Sequence, residues 1–350
     1  MDTPAGPIGH DATRIRRCSL APLKAWVVRQ LGGPESLQFE EIPSGEPADG
    51  MVRIKVRAAA INFPDVLMVA GLYQIKPELP FVPGVEVSGE VLSAPPASGF
   101  KVGDRVMALL DSAGLTRGGF AEIADATPAS VTLLPDEMPF EDGAGFTLIF
   151  QTGWFGLHRR ANLQPGETLL VHAGAGGVGS AAIQLGKAAG ATVIATAGSD
   201  AKAEVCRKLG ADHAVNYKTG DFVDEVKRIT EGRGADVVFD PVGGDVYDRS
   251  TKCIAFEGRI VIVGFTSGRI PQAAANHVLI KNYSVVGLHW GLYTRRAPEL
   301  IAPAARALLD LYEAGKIKPY ISTRLPLSQA PRALATVGEG KSTGKVILTV

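Results

Sequence analysis

Three glycines near the middle of the chain have a spacing that suits phosphate binding. Gly174, Gly176 and Gly179 form the pattern G-x-G-x-x-G. A short run with an apolar centre, 168–172, precedes them and is typical of a buried strand, and a run rich in Ala, Leu and Gln at 178–189 follows. A strand, a glycine turn and a helix in this order present backbone N–H groups and the positive helix end to a dinucleotide pyrophosphate. The alternative is a glycine loop with only a structural role. The expected cofactor contacts are Gly174, Ala175, Gly176, Gly177, Val178 and Gly179.

The residues after the next predicted strand indicate which dinucleotide binds. A NAD-selective site has an Asp or Glu about 20 residues beyond the glycines, where it accepts the ribose hydroxyls. This chain has Ala197 there, so no carboxylate repels a 2′-phosphate. Gly198 and Ser199 offer N–H and hydroxyl donors, Lys202 offers a cation, and the hydroxyl of Tyr217 would close the same pocket. The sequence therefore predicts NADPH as the cofactor.

Two readings compete with this assignment. Lys202 would also be unremarkable as a solvated helix residue, and Asp200 would bind a ribose if its loop folded back. Charge-assisted hydrogen bonds contribute about 1.5–3 kcal/mol each, so two of them favour NADPH over NADH by roughly 10²–10⁴.

Two patterns of secondary structure position these groups. From residue 23 to about 131, short alternating runs with Gly and Pro turns predict a partly open β-barrel-like domain. From about residue 139, strands alternate with helices, which predicts a doubly wound parallel sheet of the α/β class. The predicted strands of that sheet are 168–172, 192–196, 213–216, 236–239, 259–263 and 283–287, and the helices are 178–189, 200–209, 220–231 and 245–255.

The end of the chain completes this division. A helix is predicted at 297–314, and a last strand at 344–350 is expected to return to the first domain. The predicted domains are a flexible leader at 1–22, a catalytic domain at 23–145 and 288–350, and a dinucleotide-binding domain at 146–287.

Composition excludes several classes of protein. Lys plus Arg and Asp plus Glu balance at 36 each, so no net charge favours nucleic acid or an anionic membrane. The three cysteines are far apart in the sequence, which argues against a disulfide scaffold and for a reducing compartment. No apolar run approaches a membrane span, and the first residues lack the apolar stretch of a secretory signal. We expect a cytoplasmic protein.

Several motifs together resemble the medium-chain dehydrogenase/reductase superfamily, and more narrowly its zinc-free NADPH:quinone oxidoreductase branch, the relatives of zeta-crystallin. The resemblance extends from Lys24 to Val350. It implies a GroES-like catalytic domain, a Rossmann domain with NADPH between the two, and homodimers that pair the Rossmann sheets edge to edge. The motifs are Ala60–Asp65, Gly71–Tyr73, Pro83–Gly89, Val102–Val106, Thr152, His172–Gly179, Asn216–Tyr217 and Thr343–Val346.

The residues also bear on zinc. Zinc-dependent members of the superfamily have a catalytic Cys where this chain has Asn62, and a His where it has Val85. Zinc needs three or four close ligands, which Glu86 alone does not supply. No cysteine lies between Cys18 and Cys206, so the four-Cys lobe of those enzymes is missing. The sequence predicts no metal site, and hence reduction of an electrophilic acceptor, such as a quinone or an unsaturated carbonyl compound, rather than alcohol oxidation.

The resemblance also implies which residues carry the reaction. Asn62, Asp65 and Tyr73 are the catalytic candidates. In related enoyl thioester reductases a Tyr eleven residues after the Asn gives a proton or hydrogen bond to the carbonyl, and Asn62 and Tyr73 keep that spacing. A phenol is a plausible acid where an oxyanion develops, but the Tyr73 ring would equally serve as a pocket wall.

Further cofactor contacts follow from the same resemblance. Asn62 and Thr152 are expected near the nicotinamide. Lys345 would add a second cation for the phosphates, or be a solvated strand lysine. His172 is expected to have a buried structural role. The residues expected to hold the carboxamide end, or to line the cleft beside it, are Gly264, Phe265, Thr266, Leu288 and Trp290.

Three functions remain open at this point. The leading one is NADPH-dependent, zinc-independent reduction of quinones or other electrophilic carbonyl compounds. The close alternative is a 2-enal or enoyl-thioester reductase with Tyr73 as proton donor, for which Arg295, Arg296, Lys316 and Lys318 would form a basic entrance. The third is a catalytically idle NADPH-binding protein.

Overall fold

A computed structural model describes residues 21–110 and 117–350. The predicted leader at 1–22 lies outside the described residues, except for its last two. The strands are β1 Leu23–Val28, β2 Leu37–Ile42, β3 Val52–Ile61, β4 Glu86–Ser93, β5 Arg105–Leu109, β6 Ile123–Ala126, β7 Val131–Leu133, β8 Thr168–Val171, β9 Thr192–Ala197, β10 His213–Asn216, β11 Ala235–Asp240, β12 Ile254–Ile262, β13 Ser284–Gly287, β14 Ile321–Pro326 and β15 Lys345–Thr349. The helices are α1 Phe63–Val69, α2 Phe140–Ala144, α3 Thr147–Trp154, α4 Gly177–Ala188, α5 Asp200–Lys208, α6 Phe222–Ile229, α7 Gly244–Ser250, α8 Ala275–Lys281, α9 Tyr293–Arg296, α10 Ile301–Glu313 and α11 Ala330–Gly338.

Six parallel strands form the sheet of the dinucleotide-binding half, in the order β10-β9-β8-β11-β12-β13. This order starts in the middle and grows outward in two directions, which is the doubly wound arrangement. Leu169, Leu170 and Val171 of β8 are fully buried, because helices cover both faces of the sheet. The predicted α/β fold class is confirmed.

Two predicted helices have different bounds in the structure. The helix predicted at 245–255 ends at Ser250, because Ile254 already pairs with Ala235 in the parallel sheet. The helix predicted at 297–314 begins at Ile301. Ala297 precedes a proline, which disfavours helical backbone, and its φ of −152° separates α9 from α10.

The first half contains a seven-stranded sheet, with β14-β15-β3-β4-β5-β7 in order and β6 beside β3, and a separate β1–β2 pair. The last strand returns to this sheet as expected, and β15 pairs antiparallel with β3. In the core that contains β8 and β9, α10 packs against α3. The domain boundaries proposed from the sequence remain predictions. None of the helices in the described ranges is long and apolar enough to cross a membrane.

Backbone and side-chain bonds connect the two sheets close to the glycine loop. The N–H of Gly344, just before β15, donates to the carbonyl of Ala175 at 2.6 Å. Gln184 of α4 exchanges two bonds with the backbone of Lys318, at 3.0 and 2.8 Å. These contacts bring the seven-stranded sheet and the start of α4 together.

His172 has the structural environment that was expected of it. Its ring is 1% exposed, Nδ1 lies 2.9 Å from the hydroxyl of Thr196, and Nε2 lies 2.8 Å from the hydroxyl of Ser250. Burial, with a smaller contribution from Arg249, lowers the pKa of His172 to about 3. The neutral imidazole therefore links β8, β9 and α7 and does not titrate near neutral pH.

Candidate functional site

Two of the three glycines in the loop pack directly against the protein. A Cβ on Gly174 would lie 2.9 Å from the side chains of both Ala195 and Cys206. A Cβ on Gly179 would lie 2.2 Å from the carbonyl oxygen of Ala173. A side chain at Gly174 would collide with β9 and α5, and one at Gly179 would push α4 away from the loop, so both positions require glycine.

The remaining glycine lies where a phosphate would approach. Gly176 is the N-cap of α4, and a Cβ there would meet only the carbonyl of Ala173, at 3.2 Å. The first N–H groups of a helix have no intrahelical partner, and the dipole makes this end positive. The N–H of Gly176 itself donates to the carbonyl of Ala173 at 2.9 Å. The backbone of Gly177 and Val178, beside the bare Cα of Gly176, therefore forms a cradle that fits a pyrophosphate.

Four predicted phosphate-site residues lie together beyond β9. Ser199 is the N-cap of α5, and its hydroxyl oxygen accepts the N–H of Lys202 at 3.2 Å. The hydroxyl of Tyr217 lies over Gly198, where a Cβ would be 2.7 Å away from it. The Lys202 amine donates to the carbonyl of Gly340 at 2.9 Å, in an exposed bond. Ser199, Tyr217 and Lys202 thus all stand at the carboxyl end of β9 or at the start of α5.

The competing carboxylate of Asp200 is hydrogen-bonded to Asn216, which pairs with Ala197 at the same strand end. Asp200 is exposed at the first position of α5, where its Oδ1 accepts the side-chain amide of Asn216 at 2.9 Å. Ala197 is 3% exposed and brings no charge to the strand end. This arrangement fits a phosphorylated ribose better than a ribose held by an acid.

A buried polar cluster lies where the seven-stranded sheet meets α3. The Asn62 side-chain amide donates to Glu86 Oε2 at 3.1 Å, and the Lys345 amine donates to Asn62 Oδ1 at 2.6 Å and to Glu86 Oε2 at 3.0 Å. Glu86 Oε1 accepts the backbone N–H of Leu148 at 2.8 Å. The charged side chains are only 1–2% exposed. We refer to Asn62, Glu86 and Lys345 as the polar cluster.

The antiparallel sheet explains how these three residues meet. β3 lies between β15 and β4, with Ile61 opposite Val346 and Ala59 opposite Val87. The end of β3 therefore lies beside the beginnings of both neighbours, and each of the three residues stands at such an end. Of the two expectations for Lys345, the solvated strand lysine is wrong, because burial and the bonds to Glu86 and Asn62 hold its amine inside the protein. The same bonds already engage the amine, so its contact with the cofactor phosphates stays a prediction. Glu86, which the sequence presents only as an insufficient zinc ligand, is the carboxylate of this cluster, and its local motif gives no sign of that place.

Asp65 supports Asn62 from the other side. Its Oδ2 accepts the N–H of Asn62 at 2.8 Å, and its Oδ1 accepts the N–H of Val85 at 3.1 Å. The carboxyl group is fully buried, and this burial, against opposing hydrogen bonds and Lys345, raises its pKa to about 7. Because backbone donors engage both oxygens, Asp65 fixes the start of α1 and the turn before β4 in place.

Tyr73 follows α1 and is half-buried against the hydrophobic core of the seven-stranded sheet. Its backbone N–H donates to the carbonyl of Leu67 at 3.2 Å. Burial and the charge of Asp65 raise the pKa of its phenol, and Arg295 of α9 acts in the opposite direction. The phenol is therefore protonated at neutral pH, as either a proton donor or a pocket wall requires.

The remaining predicted contacts lie at the carboxyl ends of β12 and β13, or on α3. Ligands of doubly wound sheets bind outside these strand ends. Thr266 donates its N–H to Pro241 at 3.1 Å, and Leu288 donates its N–H to Ile262 at 2.9 Å, so both loops are braced by the sheet. Thr152 is 8% exposed on α3. The indole N–H of Trp290 is buried without a hydrogen-bond partner among the described residues. Gly264 and Phe265 belong to the first of these loops, and Phe265 is 37% exposed.

Within residues 21–110 and 117–350, no group of three or more His, Cys, Asp and Glu side chains is arranged to hold a metal ion.

Comparison with known proteins identifies the family. Residues 48–136 match the family described as the alcohol dehydrogenase GroES-like domain, and residues 177–306 match the family described as zinc-binding dehydrogenase. The chain is 37% identical over 328 residues to a quinone oxidoreductase-like protein 2 homolog of Nematostella vectensis, a match that covers 93% of this chain and 88% of the relative. The chain belongs to the quinone oxidoreductase branch of the medium-chain dehydrogenase/reductase superfamily.

Solved structures agree with this assignment. Quinone oxidoreductase of Escherichia coli, complexed with NADPH, superposes with a TM-score of 0.86 at 31% identity, over 93% of this chain and all of that one (100%). CurK enoyl reductase superposes with a TM-score of 0.81 at 29% identity, over 94% of this chain and 99% of its own. The protein is thus an oxidoreductase of this superfamily, and its relatives include enzymes named for two different acceptors.

Proposed function

We propose that the protein is an NADPH-dependent, zinc-independent reductase of quinones or other electrophilic carbonyl compounds. The observation that carries the proposal is the strand end beyond β9, where Ala197 replaces an acid and Ser199, Lys202 and Tyr217 bring hydrogen-bond donors and a cation together. The complex of the Escherichia coli relative with NADPH supports the same cofactor.

Different residues of the site would bind different parts of the cofactor. NADPH, when bound, supplies the hydride. Gly176 and the start of α4 would hold its pyrophosphate, and Ser199, Lys202 and Tyr217 its 2′-phosphate. Asn62 and Thr152 would orient the nicotinamide end, together with the loops after β12 and β13.

Charge in the polar cluster supports the absence of zinc from the proposed reaction. Glu86 is the carboxylate that accepts the side-chain amide of Asn62, and it already pairs with the Lys345 amine at 3.0 Å. A divalent cation at this carboxylate would have to displace or face that ammonium group, and two like charges in a buried site repel strongly.

A second candidate function is reduction of a 2-enal or an enoyl thioester. The likeness to CurK enoyl reductase and the spacing of Asn62 and Tyr73 support it. In this function the protonated Tyr73 phenol would give its proton to the acceptor, and Arg295 on the facing α9 would favour an anionic substrate.

An NADPH-oxidation assay with four acceptors tests these proposals. The acceptors are a benzoquinone, a phenanthrenequinone, a simple enone and crotonyl-CoA, each measured before and after dialysis against EDTA. We expect turnover of the quinones and the enone that EDTA does not change. A marked preference for crotonyl-CoA would favour the second candidate. Tight NADPH binding without turnover of any acceptor would indicate an idle NADPH-binding protein, and inactivation by EDTA would contradict zinc independence.

We further propose that the protein forms a homodimer through the edge of its parallel sheet. β13 is the last strand of that sheet, and the preceding α8 exposes Leu279 (75%) and Ile280 (77%). Ile270 nearby in the chain is 69% exposed. A strand edge beside exposed apolar side chains favours pairing with a second copy, which would satisfy the edge and bury these groups.

Replacing Leu279 and Ile280 together by Asp is expected to convert the dimer into a monomer, because the charges would be buried without partners. Sedimentation velocity at micromolar concentration measures the change. Val102→Asp is the matched control, since Val102 is 73% exposed in the other half of the chain and should leave the dimer intact. A monomeric wild type, or a double variant that stays dimeric, would contradict the proposed interface.

A further inference from the structure

The hydrogen bonds of the polar cluster fix the orientation of the Asn62 carboxamide. An ammonium group only donates, so Lys345 must face the amide oxygen, and a carboxylate only accepts, so Glu86 must face the amide nitrogen. The observed bonds have this pattern, at 2.6 Å and 3.1 Å. An amide held in this way at both ends cannot flip without losing two charge-assisted bonds.

One donor of Asn62 remains after these bonds are counted. The amide nitrogen carries two hydrogens, and Glu86 takes one of them. We propose that Lys345 and Glu86 are positioning residues, which fix the Asn62 carboxamide so that its second N–H is presented to the bound nicotinamide or acceptor. The proposal rests on the proposed function, in which Asn62 lies at the reacting end of the cofactor.

Lys345 also polarises the amide that it holds. A cation on the amide oxygen draws electron density from the nitrogen and makes the remaining N–H a stronger donor, and low local dielectric increases the effect. The cluster therefore supplies directed electrostatic stabilisation from side chains alone. A misdirected or freely rotating Asn62 would offer its oxygen as readily as its N–H.

The position of Lys345 connects this effect to the cofactor loop. Its stem passes Gly177 at the start of α4, where a Cβ would lie 3.5 Å from Lys345 Cδ, and Gly145, where a Cβ would lie 3.5 Å from Lys345 Cγ. The preceding Gly344 has φ +60° and donates its N–H to Ala175. A Cβ at Gly344 would lie 2.0 Å from the carbonyl of Tyr320, so glycine is required there. The segment that holds the pyrophosphate cradle thus also holds the lysine that orients Asn62.

The need to orient Asn62 explains why the protein keeps the buried ion pair of Lys345 and Glu86, which adds little to stability by itself. Desolvating two charges costs several kcal/mol, and a well-packed apolar pair is often as stable. Glu86 recovers part of that cost through a third donor, the N–H of Leu148 at the start of α3. Thr152 stands on the same helix, so α3 is fixed relative to Asn62 by the same carboxylate.

Lys345→Met is the first test of the proposal. We expect kcat/KM with NADPH and the preferred acceptor to fall by about 10- to 100-fold, the value of one charge-assisted hydrogen bond. In an Asn62→Ala background the same substitution should change kcat/KM by less than about twofold, because the group it positions is gone. Lys345→Arg keeps a donor for both partners and should retain more activity. Lys252→Met removes an exposed lysine far along the chain and serves as the charge control.

A second readout does not need activity. The side-chain amide hydrogens of Asn62 can be assigned by NMR from their loss in Asn62→Ala. In the cofactor-free wild type the amide hydrogen that Glu86 accepts should be protected from hydrogen exchange, and in Lys345→Met that protection should be lost. If Lys345→Met fails to fold because Glu86 is left unpaired, the double variant Glu86→Gln with Lys345→Met removes both charges and takes its place in both measurements.

The outcomes separate this inference from the proposed function. Wild-type protein that turns over no acceptor would contradict the proposed function, while the amide signals would still report on Asn62. Unchanged amide protection in a folded Lys345→Met variant, or equal losses of activity with and without Asn62, would overturn the positioning role.

Discussion

Replacing Lys202 by Ala and Tyr217 by Phe together is expected to reduce the preference of kcat/KM for NADPH over NADH by roughly 10²- to 10⁴-fold. Each group is proposed to give one charge-assisted hydrogen bond to the 2′-phosphate, worth about 1.5–3 kcal/mol. Each single variant should therefore lose about 10- to 100-fold. Steady-state kinetics with both cofactors and one acceptor measure the effect.

The structure leaves the side chains of Lys202 and Tyr217 accessible, so a 2′-phosphate can replace their present contacts. Tyr217 is 46% exposed, and its hydroxyl lies over Gly198 rather than in the core. The bond between the Lys202 amine and the carbonyl of Gly340 is exposed, so solvent already competes with it and little is lost when a phosphate replaces the carbonyl. Ser199 keeps its capping role, because it accepts from the backbone of Lys202 and not from its amine.

Lys208→Ala is the matched control for this prediction. Lys208 is an exposed lysine at the far end of the same helix α5, so its loss changes net charge equally but leaves the strand end intact. An unchanged cofactor preference in Lys202→Ala would contradict the phosphate role. A wild type that prefers NADH would instead favour Asp200 as a ribose ligand.

The parallel sheet and its glycine loop were accessible from the sequence because their signals are local. The run 169–171 is apolar without interruption, since both faces of the strand are buried. Gly174 and Gly179 leave no room for a side chain, so their spacing carries steric information. A strand, a turn and a helix that are contiguous in the chain can be recognised without knowledge of the rest of the fold.

The polar cluster could not be predicted in the same way. Lys345 lies 283 residues from Asn62 and 259 from Glu86 in the chain. Only the register of β3 with its two antiparallel neighbours brings them together, and register depends on the packing of the whole sheet. A lysine at the beginning of a strand is ordinarily solvated, and nothing in its local sequence indicates burial. The motifs around the three residues were visible, but not their mutual contacts.

Several strands outside the parallel sheet give no recognisable pattern in the sequence, for a related reason. β7 has three residues and β6 has four, which is too short for alternation to be recognised. β14 has no buried residue and ends at Pro326, a residue that is typical of sheet edges. Their pairing with longer neighbours, rather than their own pattern, makes them strands.

Tyr73→Phe should lower kcat for an enone or an enoyl thioester by about 10²-fold, with little effect on KM. Proton transfer by a positioned acid contributes roughly 10²–10⁴ to such reactions. The pKa of Tyr73 is raised by burial and by Asp65, so the phenol carries its proton throughout the neutral range. With a quinone acceptor we expect a loss below about threefold, because the reduced oxygens of a quinone take protons from solvent without a dedicated acid.

Measuring an enone and a quinone side by side distinguishes a Tyr73 that donates a proton from a Tyr73 that only lines the pocket. A Tyr73 that only walls the pocket would be replaced by Phe at no cost to either reaction, because the ring and its packing are kept. Tyr312→Phe is the matched control: its hydroxyl donates to Asp142 at 3.1 Å near the end of α10, so its loss should lower thermal stability but not kcat. A solvent isotope effect on kcat that is present for the enone in the wild type should disappear in Tyr73→Phe, because the proton would then come from water after a slower step.

Intact turnover of both the enone and the quinone by Tyr73→Phe would show that acceptor chemistry does not depend on this phenol. The choice between the two candidate acceptors would then depend on the loops after β12 and β13, where Trp290 has a buried indole N–H and no partner among the described residues.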